Sequence, residues 1–468
     1  MNAKRASDSQ KQRPEVGRIL ADFCAELKFE SMSAAAVEAA KRGIADTLSV
    51  ALAAKAEEVA GVMGGFFAEE PGKARVWNTA LRTTARNAAL ANGAMAHAHD
   101  FDDGNYAMVG HPSAPVLPAI LALADELAAS GADIIAAYAA GVEMEGRLGI
   151  AVTYEHNGRG WHTTSSLGTF GAAAAAGNLL GLDGKLMLEA FGIAASLASG
   201  LRQNFGYMTK PLHAGFAAQN GVLAAKLAKA GMRSSPNAIE GHEGFFDLFT
   251  DPEKLNADEA IRDLGLSLEL IRNNPKLYPT CSLVHPALDL VTEGIASGEI
   301  VADDLEVINV GVSYHALNLM RYNDPKDALQ ARFSIPYCIA AALAHGDVTL
   351  GSFSDQSVAG NEIRGRMGKV NAYVHPDLST KEQFEKVYTK GAAFTEIEAV
   401  HKSGKIHLKR QSVAVGNHQY PAPPERLRRK FETCAALSVG KPKARDLWNM
   451  LMKLETVQWS EVDSLLDE

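Results

Sequence analysis

Leu305-Glu306-Val307-Ile308-Asn309-Val310-Gly311-Val312 alternates like a β-strand, and the fold class turns on how little of the preceding chain does so. From about Glu15 to Ala230 the pattern is helical almost throughout. Ser33-Ala34-Ala35-Ala36-Val37-Glu38 opens like an N-capped helix whose apolar positions recur at three and four residues through Ala53. Further Ala- and Leu-rich helices are expected over 84–98, 115–129, 132–148, 165–180 and 186–200. Their Ala and Gly content allows close helix–helix approach, as in a packed all-α domain.

After Asn274 the texture changes. Besides 305–312, Val370-Asn371-Ala372-Tyr373-Val374 and Ala399-Val400-His401 read as strands, and Ser403-Gly404 reads as a hairpin turn into Lys405-Ile406-His407-Leu408-Lys409. Phe333 to Ala344 reads as a helix with Pro336 in its first turn. Pro421 to Pro424 closes this unit, and helical sequence resumes to Asp467. The expected fold is therefore mainly α: an all-helical domain (15–273 and 424–468) with a smaller inserted α+β domain (274–423), after a disordered tail at 1–14.

The 468-residue length suffices for two or three domains and a sizeable core. A net charge of −9 without a long Lys/Arg block argues against a nucleic-acid partner. Cys24, Cys281, Cys338 and Cys434 are scattered with no C-x-x-C pair, which disfavours a metal ribbon or a disulfide framework and fits a reducing cytoplasm. The N-terminus has no apolar core of a signal peptide. The longest weakly charged stretch, His162 to Leu182, is rich in Gly, Ser and Thr, so buried helices explain it better than a membrane span.

Five clusters concentrate polar chemistry. His97-Ala98-His99-Asp100-Phe101-Asp102-Asp103, followed by Gly110-His111-Pro112-Ser113, reads either as a capped loop between helices or as an active site. Trp161-His162-Thr163-Thr164-Ser165 opens a helix whose N-terminus could hold a carboxylate, or is simply capped by its hydroxyls. Lys210, in Asn204 to Gly215, and Lys276, in Pro275-Lys276-Leu277-Tyr278-Pro279-Thr280-Cys281, are candidates to neutralise an anionic substrate, against solvated loop lysines. Met320-Arg321-Tyr322-Asn323-Asp324-Pro325 looks like a turn in which Tyr322 could exchange a proton or merely cover the core. No phosphate-binding loop, nucleophile elbow or H-E-x-x-H motif occurs, and His97 and His99, one residue apart, make a poor metal pair. Acid–base chemistry on a small anion remains, with no cofactor and no metal expected.

The ordered motifs H-x-x-D-F-D-D, G-H-P-S, G-W-H-T-T-S-x-L-G-T-F-G, N-F-G-x-M-T-K-P-L-H-A-G and K-x-Y-P-T-C resemble the MmgE/PrpD family over about residues 16–450. Its members include 2-methylcitrate dehydratase, cis-aconitate decarboxylase and iminodisuccinate epimerase. The resemblance implies a helical domain, a smaller α+β lid, a homodimer, and an interdomain active site carried here by Asp100, His111, His162, Lys210, Lys276 and Tyr322. It also implies proton abstraction beside a carboxylate of a di- or tricarboxylic acid, with the resulting enolate stabilised by cations. In this expectation Lys210, Lys276 and His162 clamp carboxylates, with Arg321 and Gly104 at the substrate. His111 and Tyr322 exchange protons, and Asp100 orients His111. Cis-aconitate decarboxylases carry Thr directly after D-F-D-D, where this chain has Gly104. The leading expectation is accordingly a hydro-lyase like 2-methylcitrate dehydratase. The alternatives are an epimerase of the iminodisuccinate type, a decarboxylase of the cis-aconitate type, and an inactive carboxylate-binding member.

Overall fold

A computed structural model describes residues 13–67, 69–383 and 393–467. The tail expected over 1–14 lies outside them except for Arg13 and Pro14, and Arg13 pairs with Asp247 at 2.6 Å.

The chain is mainly α-helical. Helices α1 (Val16–Glu26), α2 (Ala34–Ala53), α3 (Glu58–Phe66), α4 (Ala85–Ala96), α5 (Ser113–Leu127), α6 (Gly131–Gly158), α7 (Thr163–Leu179), α8 (Gly184–Leu197) and α9 (Thr209–Lys229) build one hydrophobic cluster. Ser33 and Thr84 cap α2 and α4 by accepting N–H bonds from Ala36 and Asn87. Helix α6 runs ten residues past its expected end across a break at Thr153, whose φ is +57°.

The helical part is not all helix, as the periodicity implied. Pro71–Arg75 (β1) and Arg82–Thr83 (β2) pair antiparallel. Pro71 and Gly72 resist helix continuation, and Asn78 turns the chain with φ +63°.

Small residues set the closest contacts. A Cβ on Gly93 of α4 would lie 2.7 Å from Gly215 Cα of α9, and one on Gly215 2.2 Å from the Leu90 carbonyl oxygen. The two backbones therefore touch, which holds the start of α9, with Lys210, against the end of α4 and the polar loop after it.

A second hydrophobic cluster gathers side chains from Leu277 to Ile363, together with Phe205, Ile397, Ala399 and Ala422. It includes α10 (His285–Ala296), α11 (Ile335–His345) and a four-stranded sheet in the order β4-β3-β5-β6. Strand β3 (Leu305–Val312) pairs parallel with β4 (Val370–Val374) and antiparallel with β5 (Thr395–His401), which forms a hairpin with β6 (Ile406–Gln411). The parallel pair requires the crossover that contains α11. Beyond it, α12 (Pro424–Val439) returns to pack on α2, with Phe431 and Ala435 in the first cluster. All four cysteines are buried and unbridged. No helix among the described residues is long and apolar enough to cross a membrane.

Glu145 of α6 is fully buried against α7, where a Cβ on Gly171 would approach its Oε2 to 2.8 Å. Neither carboxyl oxygen has a hydrogen-bond partner among the described residues. Burial, with Asp103 adding to it, pushes this carboxyl well above the ordinary range. The folded chain then keeps a proton that the unfolded chain releases above about pH 4.3. The associated stability is full below that pH and is lost as pH rises toward the folded pKa, by up to about 1.4 kcal/mol per pH unit. Glu145→Gln removes this dependence. Its melting temperature relative to the parent should rise between pH 5 and pH 8; a difference that does not change with pH contradicts this.

Candidate active site

The polar stretch after α4 folds into a loop whose turns are fixed by its own backbone. Asp100 adopts φ +51°, which an aspartate tolerates better than most side chains. Asn105 and Gly110 bond each other's backbones at 2.9 and 3.3 Å, closing the loop before α5. Asp103 accepts from the Ser113 N–H at 3.3 Å and from its Oγ at 2.7 Å, capping α5. Gly104 N–H donates to Asn274 O at 2.9 Å and Asn274 N–H to Gly104 O at 2.7 Å. That short bridge brings Lys276, two residues on, to the same loop.

Asp100 is the hub. Its carboxylate pairs with Lys210 Nζ and, at 3.1 Å, with Lys276 Nζ, which also donates to the Asp100 carbonyl at 2.8 Å. All three side chains are buried. Burial, the largest influence, opposes ionisation of Asp100, but Lys210 and Lys276, with His111 and His97 behind them, hold the carboxyl well below its usual range. Lys210 is displaced downward, because burial and Lys276 outweigh the attraction of Asp100. Phe205 and Phe333 flank its ammonium, with ring centroids 5.6 and 5.3 Å away.

The histidines divide by environment. His111 keeps 16% of its side chain exposed; its Nδ1 meets the Asp103 carbonyl at 3.0 Å and Asp102 Oδ2 at 3.2 Å, while Nε2 lies 3.7 Å from Asp100. Asp102 also takes His97 Nδ1 at 2.9 Å. His97 is pushed down to about 3, chiefly by burial. His162, at the N-terminus of α7, meets His213 Nδ1 to Nδ1 at 3.0 Å and packs edge-on to Phe205. Burial, then His97 and Lys210, hold His162 well below its ordinary range.

A cavity of about 130 Å³ is lined by Asp100, Gly104, His111, His162, Lys210 and Lys276, among others. Gly104 has room for a side chain: a Cβ would meet nothing closer than Gly110 O at 3.7 Å. A neighbouring space of about 590 Å³ shares the wall formed by Asn105, Tyr106, Ser282 and Leu283.

Two sequence expectations change. Burial and His97 disfavour a charged His162, whose Nδ1 is engaged by His213. Asp100 serves the lysines, while Asp102 holds His111. Tyr322 does not line this cavity; its hydroxyl donates to Phe205 O at 2.8 Å, and Arg321 bonds the carbonyls of Gln203 and Phe205 at 3.2 and 3.1 Å. Both brace the turn carrying Phe205, which does line it. His97, Asp102 and His213 sit inside quoted motifs, but the sequence put His97 at the helix end, gave Asp102 only a capping or supporting place and did not single out His213. His99 turns away to Arg332, 3.2 Å from its guanidinium.

His97, Asp100, Asp102 and His111 place one donor atom each within 4.8 Å of one another, a spacing that would suit a metal ion. Those atoms are engaged differently: two ammonium groups hold Asp100, and both imidazoles share Asp102. A metal would have to displace them.

Removing the shared carboxylate tests the hub. Asp100→Asn leaves two buried ammonium groups with no anionic partner of their own, so unfolding stability should fall by about 3–5 kcal/mol. Parental stability in denaturant would contradict it.

Residues 18–258 match the MmgE/PrpD N-terminal domain and residues 278–456 the MmgE/PrpD C-terminal domain. Cis-aconitate decarboxylase of Mus musculus is 28% identical over 446 residues, 92% of this chain and 89% of that protein. The Homo sapiens enzyme of that name is 27% identical over 92% of this chain and 90% of its own length, and the one from Aspergillus terreus 26% over 85% and 84%. With both family domains matched in order and relatives that are lyases along nearly their whole length, the chain belongs to the MmgE/PrpD family and is an enzyme of the lyase class.

Proposed function

We propose that the protein is a decarboxylase of an unsaturated tricarboxylate of the cis-aconitate type, working without a cofactor. The observation that carries this reading is one cavity in which two buried lysines face an imidazole whose Nδ1 is already bound. Similarity to cis-aconitate decarboxylases along most of the chain favours it over the dehydratase reading drawn from the sequence.

Substrate carboxylates meet Lys210 and Lys276, with His162 as a neutral donor. In cis-aconitate the bond from the CH2 carbon to its carboxylate breaks, and its electron pair forms a new double bond to the central carbon. The pair of the old double bond moves to the CH carbon, next to another carboxylate, where a lysine stabilises the developing charge. That carbon takes a proton, so CO2 leaves and itaconate forms. His111 supplies the proton from Nε2, because Nδ1 faces two acceptors. Tyr322 and Arg321 hold Phe205 at the wall. Gly104 leaves open the space a threonine would fill, so the cavity admits a substrate with an added group there.

The helical residues 15–273 and 424–468 form the body in this reading, and 274–423 a smaller lid. The cavity draws Asp100, His111 and Lys210 from the former and Lys276, Cys281 and Phe333 from the latter. The homodimer expected from the family resemblance belongs to the same reading.

Incubation of cis-aconitate in D2O, followed by NMR, tests the reaction: itaconate carrying one deuterium is expected. Water addition or loss, or deuterium exchange without CO2 release, would replace decarboxylation by hydro-lyase or epimerase chemistry. His111→Ala should lower kcat by about 10²–10⁴-fold with the fold intact. Tyr322→Phe should cost much less; an equal loss would put the phenol among the proton donors.

A further inference from the structure

Asp102 is fully buried and lies between two imidazoles. His97 Nδ1 approaches its two oxygens at 3.0 and 2.9 Å, and His111 Nδ1 approaches Oδ2 at 3.2 Å. The hydrogen bond of His111 Nδ1 runs to the Asp103 carbonyl at 3.0 Å, with the Asp102 carboxylate beside it as an ion-pair neighbour. A carboxylate and a carbonyl can only accept, so Nδ1 must carry the proton in both rings. The Nε2 atom of His111, in a ring that lines the cavity and 3.7 Å from Asp100, is then the nitrogen left without a proton in the neutral ring.

We propose that Asp102, locked in place by His97, is a positioning residue that, together with the Asp103 carbonyl, fixes the tautomer and orientation of His111. A carboxylate with no solvent needs donors on both oxygens or it turns toward whichever group offers one. His97 supplies the second donor from a ring that is itself confined. It stands edge-on to His111 with centroids 4.5 Å apart and stacks on His162 at 5.5 Å. Burial alone favours a neutral Asp102, but His111 and His97 beside it reverse that and hold it well below the usual carboxylate range. His97 stays neutral, so it locks the anion without cancelling its charge. Asp100, bound to two lysines, is not free to do this work.

The kinetic consequence rests on His111 as the proton donor of the proposed reaction, whereas the tautomer itself does not. In ¹⁵N-histidine-labelled protein, with His111 assigned by its loss in His111→Ala, wild-type His111 should give the shifts of a neutral ring protonated at Nδ1 and bare at Nε2. In Asp102→Asn the amide presents an N–H to one ring, and His111 should move to the Nε2–H form. Its kcat should fall at least tenfold with KM within about threefold, and Asp102→Glu should recover part of both signals. A wild-type His111 in the Nε2–H form overturns the proposal, as does an Asp102→Asn protein whose His111 tautomer is unchanged. Should Asp102→Asn not fold, the wild-type spectrum decides alone. Should cis-aconitate not be turned over, the function reading fails while the tautomer measurement still judges this one.

Discussion

Everything at the site depends on one buried carboxylate, Asp100, shared by two ammonium groups from distant parts of the chain. Taking three charges out of water is costly, and their attraction repays it only when the geometry is held firmly. The chain supplies that firmness from three directions. A left-handed residue aims the carboxylate, the close α4–α9 contact places Lys210, and the Gly104–Asn274 bridge delivers Lys276. Loss of any one leaves a buried charge without its partner. Assembly of the site and folding of the two hydrophobic clusters around it are thus one process.

The same low-dielectric surroundings sort the remaining groups into roles. His97, His162 and His213 are kept neutral by burial, so they act through hydrogen bonds and ring packing. His111 alone among the histidines gathered here combines contact with the cavity, partial exposure and a bound Nδ1. Carboxylates are divided as cleanly: Asp100 meets the lysines, Asp102 the imidazoles, and Asp103 the start of α5. Three acids within four residues therefore do three different things, and the backbone turn at Asp100 is what separates them.

The sequence was most legible where periodicity and caps speak locally. Ser33 and Thr84 mark helix starts, and the alternation at 305–312 and the Ser403-Gly404 turn mark the sheet. The short β1–β2 pair escaped because a five-residue strand opening on Pro71-Gly72 and a two-residue partner carry no clear periodic signal. At the site, residue types in the motifs picked Asp100, His111, His162, Lys210 and Lys276, and all five line one cavity. Pairings were not legible. Nothing in His97 to Asp103 says which carboxylate faces which ring, since that follows from a single φ and from lysines more than a hundred residues away. Tyr322 was picked for its chemistry, yet the carbonyl that receives its proton belongs to Phe205, a contact no spacing reveals.

A crystal structure with a saturated, unreactive tricarboxylate bound would test the account at its centre. Carboxylates should sit within hydrogen-bond reach of Lys210 and Lys276 while Asp100 keeps both lysines, and a backbone carbon of the ligand should face His111 Nε2. A ligand bound in the outer space beyond Tyr106, or one reached by neither lysine, would contradict it.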